Sequence, residues 1–123
     1  SAASDVYKRQ VIQQIAKEED SVIVGRCADF ILKDDDVDIL SVFITAPLAD
    51  RITREMDVDD MNETQAKKFI RKMDMRRKNY YNYFTKGDWG KKNTYDLILN
   101  SSKLGVEGTV DILCSLYRNF MGQ

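Results

Sequence analysis

Lys67, Lys68, Arg71, Lys72, Arg76, Arg77 and Lys78 place seven cations within twelve residues, against a single acid, Asp74. Lys68, Lys72 and Arg76 recur at every fourth position, so a helix would stack them on one face. Cations gathered on one element can neutralise a transferring phosphoryl group. A helix that closes over the reactants can then open to release product. The bland alternative is a solvated basic face. Tyr80, Tyr81, Tyr83 and Phe84 follow this run and read as core or hinge packing rather than a base-stacking platform. A second candidate is Gly25-Arg26. Glycine permits close approach, and arginine offers a planar fork for a phosphate or a base edge. A surface arginine paired with Asp29 would explain the same residues. The third is Asn100-Ser101-Ser102-Lys103-Leu104-Gly105, whose small polar residues would let a loop approach a nucleotide. Capping of the following helix accounts for them equally well.

The chain has no histidine among its 123 residues. Ser-His-Asp triads, Cys-His dyads and His-bearing zinc sites are therefore excluded. Carboxylates, cations and hydroxyls remain, and phosphoryl transfer suits that kit because it rests on positioning and cationic stabilisation. Cys27 and Cys114 are too far apart in sequence for a metal-binding spacing and form no disulfide framework. Both sit in apolar runs and are expected to be small core residues. Net charge is −1, yet the basic run carries +6, leaving −7 elsewhere. That balance, with no nucleic-acid-binding motif, argues against a nucleic-acid surface and leaves room for a local anion site. No apolar run is long enough to cross a bilayer, and a cytoplasmic location is the expectation.

These groups need elements to position them. Val11, Ile12, Ile15 and Ala16 predict an amphipathic helix over 10–19. Ser21–Cys27, with its Val-Ile-Val core, predicts a short buried strand. An acidic loop at Asp34, Asp35, Asp36 and Asp38 leads to a second strand over 40–46. Pro47 then opens a helix that runs to about Met56. A long helix follows over 63–83, with Ala66, Phe69, Ile70, Met73 and Tyr80 as its apolar face. Gly87 and Gly90 mark a loop over 86–93. A third strand covers 95–99, and a last helix covers 106–120 with Val110, Leu113, Cys114, Tyr117 and Met121 on one stripe. Strands alternating with helices imply parallel pairing in an α/β layered fold.

Four stretches together resemble the cytidylate kinase-like family. They are Val-Ile-Val-Gly-Arg-Cys-Ala-Asp at 22–29, Val-Phe-Ile-Thr-Ala-Pro-Leu-Ala-Asp-Arg at 42–51, Asp-Met-Arg-Arg-Lys-Asn-Tyr-Tyr-Asn-Tyr-Phe-Thr at 74–85 and Tyr-Asp-Leu-Ile-Leu-Asn-Ser-Ser-Lys-Leu-Gly at 95–105. The resemblance covers about residues 11–120. It implies a three-layer P-loop kinase-like fold, helix-rich, with about three strands of the family's parallel sheet present. It also implies transfer of the γ-phosphoryl group of ATP, with Mg²⁺, to a nucleoside monophosphate, CMP or dCMP. By similarity, Arg26, Asp29, Arg51 and Asp74 would contact the acceptor. Arg76 and Arg77 would be catalytic groups of a lid spanning about 63–93, and Asn100, Ser101 and Ser102 would lie near the ATP base. No metal ligand is assigned. Better-known members carry Gly-Arg-Asp where this chain has Gly-Arg-Cys, and more alternating Arg and Asp in the lid.

None of the six glycines forms a Gly-x-x-x-x-Gly-Lys-Ser/Thr loop. In the family that loop and its strand precede everything matched here, and the strand lies between the two that match 22–27 and 40–46. The expectation is a C-terminal portion, inactive alone, with an incomplete sheet able to self-associate. Asp-Val-Tyr-Lys-Arg-Gln at 5–10 resembles the in-frame translation of a transposon mosaic end used in sequencing libraries. Residues 1–10 are accordingly read as a non-native or disordered segment, with the family domain at 11–123; a plain polar helical terminus is the other reading. Against the kinase reading stands a non-catalytic interaction or regulatory module on the same scaffold.

Overall fold

The computed structural model describes residues 2–25 and 27–121. Helix α1, Ala2–Glu18, starts earlier than the apolar period requires, since residues 2–10 contain no glycine or proline to interrupt it. Ile12 is buried against Ala28 and Leu32 of the short helix α2, Ala28–Leu32. Ala16, Ile23, Ile31, Val37 and Ile39 close around them. This small cluster is the base of the molecule.

Among the described residues the sheet has two strands, where three were expected. β1, Val42–Thr45, pairs in parallel with β2, Leu97–Asn100, in the register Val42↔Leu97 to Thr45↔Asn100. Residues 21–25 join no ladder; Ile23 turns into the base, while Val22 and Val24 stand 86% and 88% exposed. The physical reason is that β-branched residues become a strand by pairing with a neighbour. Among the described residues, β1 pairs with β2 along one edge and no strand lies along the other.

The crossover between the strands is a helical hairpin. α3, Leu48–Val58, follows Pro47, and α4, Glu63–Phe84, returns along it. Asn62 opens α4 with a reciprocal cap: its Oδ1 accepts from Gln65 N at 2.8 Å, and its N donates to Gln65 Oε1 at 3.1 Å. Ala66 is wholly buried and Ile70 nearly so, which lets the two helices approach closely. Toward the carboxyl end of α4 the buried aromatic is Tyr81 rather than the expected Tyr80, and Phe69 is partly exposed.

α5, Ser101–Met121, begins directly after β2 and is kinked at Gly105, where φ is 75° and ψ is 166°. Only glycine adopts that backbone without strain, so the expected loop over 100–105 becomes one helical turn and a bend. Cys27 is buried as expected, but Cys114 is exposed. The stripe that carries Cys114 also leaves Val110 and Tyr117 partly exposed, because α5 meets the sheet over a limited area.

Candidate functional site

Ligands of open α/β sheets gather at the carboxyl ends of the strands. Here those ends are Thr45 and Asn100, side by side in register. Ser101 Oγ donates to the Thr45 carbonyl at 3.3 Å. Asn100 Oδ1 accepts from the backbone N–H of Ser102 at 3.0 Å and of Lys103 at 3.3 Å. Asn100 thus caps α5, as the simpler sequence reading allowed, and Ser102 is exposed.

Beyond the end of β1, the first turn of α3 presents Arg51. Its fork grips Asp74 of α4, with Nη1–Oδ2 at 2.8 Å and Nη2–Oδ1 at 2.6 Å. Arg77 reaches the same carboxylate at 3.2 Å. The Arg51 hydrogen bonds, more than charge alone, hold the Asp74 carboxyl below its usual range, and Asp74 in turn raises Arg51. Arg76 is exposed and makes no side-chain hydrogen bond or ion pair among the described residues. The structure therefore brings Arg51, Asp74 and Arg77 together and leaves Arg76 free on α4.

Asp29 lies in a separate cluster, on the side where the strands begin. Its Oδ1 accepts from Phe30 N at 2.8 Å; its Oδ2 accepts from Ser41 Oγ at 3.1 Å and Tyr81 Oη at 3.0 Å. Ser41 immediately precedes β1, and its N–H donates to Asp96 Oδ2 at 2.8 Å, just before β2. Burial, then the neighbouring Asp29, raise the Tyr81 phenol above its ordinary range, so it serves as a neutral donor. Burial likewise pushes the Cys27 thiol up to about 11. An open cleft of about 810 Å³ runs past this cluster, rimmed by Lys33, Lys91 and Lys92. Arg26 lies outside the described residues. Three donors from the protein already engage Asp29; of these, Tyr81 was read in the sequence only as core or hinge packing and Ser41 was not singled out. The one signal for Tyr81 was its place two turns after Asp74 on the same helical face.

Among the described residues no group of three or more Asp, Glu or Cys side chains converges to hold a metal ion. The sequence also lacks a glycine-rich phosphate cradle. The described residues therefore do not by themselves fit Mg²⁺ or the phosphates of ATP. No helix among them is long and apolar enough to cross a membrane.

A helix-rich α/β unit with a parallel sheet, and with arginines on a crossover hairpin beyond the strand ends, defines the class. The sequence profile of the cytidylate kinase-like family matches residues 2–103, and the chain belongs to that family. It is 31% identical over 119 residues to a cytidylate kinase of Methanocaldococcus jannaschii, covering 94% of this chain and 64% of that one. A cytidylate kinase of Pyrococcus horikoshii is 33% identical over 110 residues, covering 89% of this chain and 54% of its own length. The chain thus spans less than two thirds of the relatives it matches. A crystal structure of an uncharacterised protein from Eubacterium ventriosum superposes with a TM-score of 0.84 at 31% identity, covering 91% of this chain and 63% of that one.

Proposed function

We propose that this chain is part of a nucleoside monophosphate kinase that moves the γ-phosphoryl group of ATP onto CMP or dCMP. The observation that carries the reading is the arm α4, where Arg76 stands exposed and unpaired beside Arg77, while Asp74 orders Arg77 and Arg51. An unpaired guanidinium next to an ordered one suits a phosphoryl group that gains charge during transfer. The Arg51–Asp74 pair joins α3 to α4 within the hairpin that follows β1, and an acceptor would sit at the carboxyl end of that strand. Arg26 would contact the acceptor, and Asn100, Ser101 and Ser102 would lie near the ATP base. ATP phosphates and Mg²⁺ would be held by groups other than these. The family match and the superposition support a three-layer P-loop kinase-like architecture, and the cytoplasm is the proposed location.

The test is steady-state phosphorylation of CMP, dCMP and UMP by the full-length protein and by this chain alone. The full-length protein should turn over CMP or dCMP, and the isolated chain should not. Arg76→Ala and Arg77→Ala should each lower kcat by about 100-fold or more, the usual effect of removing a group that stabilises transition-state charge. Absence of turnover by the full-length protein would reject the kinase reading in favour of a non-catalytic module.

A further inference from the structure

The hairpin of α3 and α4 is an arm with few attachments. α3 is the principal packing partner of α4 along its length. At the arm's root the aromatic rings of Tyr81 and Tyr95 lie 6.4 Å apart, and Asn82 Oδ1 accepts from Trp89 N at 3.2 Å. Both partners lie in the segment that continues the chain from α4. The attachment to the base is different in kind. Tyr81 Oη donates to Asp29 Oδ2, across 52 residues of sequence. A weak contact of Cys27 Sγ with the Tyr80 carbonyl, at 4.0 Å, lies beside it.

Asp29 was expected to touch the acceptor. The geometry points to another role. We infer that Asp29 is a positioning residue whose carboxylate ties Tyr81, and with it the arm bearing Arg76 and Arg77, to α2 and the start of β1. Its two oxygens already accept from Phe30, Ser41 and Tyr81, which belong to α2, the lead into β1, and α4. A carboxylate so engaged acts as a three-way tie. Tyr81 is buried, so loss of its partner would leave a hydroxyl without an acceptor. Leverage makes the tie consequential. At a rise of 1.5 Å per residue, Lys68 lies about 20 Å along α4 from Tyr81, so a tilt of ~10° displaces it by about 3 Å. Arg76 and Arg77, about 7 Å from Tyr81, would move by about 1 Å, and misplacement of charged groups on that scale impairs transition-state stabilisation more than ground-state binding.

The kinetic part of this inference rests on the kinase reading; the tie itself does not, and the test separates them. Spin labels go on Lys33→Cys and Lys68→Cys in a Cys114→Ser background, with and without Tyr81→Phe. Phenylalanine keeps the ring and removes only the donor. The expected result is a broadened label distance, shifted by about 2–3 Å, the displacement that helix leverage predicts. Asp29→Ala, which removes the acceptor oxygens, should act alike and serves alone if circular dichroism shows Tyr81→Phe to be unfolded. A distance distribution superimposable on the parent's in a folded variant overturns the tie. In the full-length protein, Tyr81→Phe should lower kcat about 10-fold with the CMP KM nearly unchanged. The double variant with Asp29→Ala should lose no more than Asp29→Ala alone, because the Tyr81 interaction is removed once. Loss expressed only in KM, or additive losses, overturns the positioning role. If the parent protein shows no turnover, the kinase reading fails while the label distances still decide the tie.

Discussion

Asp74 draws three helical positions together, and its ionisation is the most readily measured consequence. Arg51 and Arg77 hold its carboxyl below the usual range. A depressed folded value means the stabilisation is complete above the unfolded value, near ~3.9, and is lost as pH falls through the folded one. Both partners are about one-third exposed, so solvent screens the pair. Asp74→Asn should therefore cost only about 1 kcal/mol at neutral pH. Thermal melts should show a constant difference between parent and variant from pH 7 to 5 that begins to shrink below about pH 4, as pH falls toward the lowered value of Asp74. A difference that persists in acid would mean the asparagine disturbs packing instead. Asp29 shows the opposite lesson about residues. Its motif was visible in the sequence, but two of its three donors, Ser41 and Tyr81, come from elements the sequence could not bring together.

At the scale of elements, α4 organises the candidate site. It starts sharply because Asn62 and Gln65 cap each other, and it pairs with α3 through Ala66 and Ile70. Asn62→Ala should destabilise the protein by about 1 kcal/mol in urea unfolding, as loss of an N-cap does. Helix α4 was legible almost to its ends, since its apolar period and the spacing of its cations agreed, while its cap at Asn62 was not read. β1 and β2 were legible too, within two residues at each end. The run at 21–27 was not, because its composition reports a preference whereas a strand requires a partner. The stripe of α5 misled for a related reason. Val110, Cys114 and Tyr117 have helical spacing, yet no element of the described structure covers them.

At the scale of the whole molecule, apolar surface is the conspicuous property. Val22, Val24, Val106 and Val110 are all exposed, around a sheet of only two strands. An unpaired β-branched run is a template for another chain. Sedimentation velocity should show concentration-dependent association of this polypeptide. Val22→Lys with Val24→Lys should reduce that association while changing stability by no more than about 0.5 kcal/mol, because neither side chain is buried. Association unchanged by these substitutions would place the contact elsewhere.

The sequence by itself determined the family, the long basic helix, the two paired strands and the kit of groups available for chemistry. Those properties are local: motifs, periods and caps are written within a few neighbouring positions. The tertiary structure alone decided that Arg51 grips Asp74, that Tyr81 anchors on Asp29, that Arg76 stays free and that Val22 and Val24 find no ladder. Each of these depends on residues brought together from distant positions, 23 apart for Arg51 and Asp74 and 52 apart for Tyr81 and Asp29. A polar side chain carries its capacity to bond in its own chemistry, but the identity of its partner is a property of the packed chain.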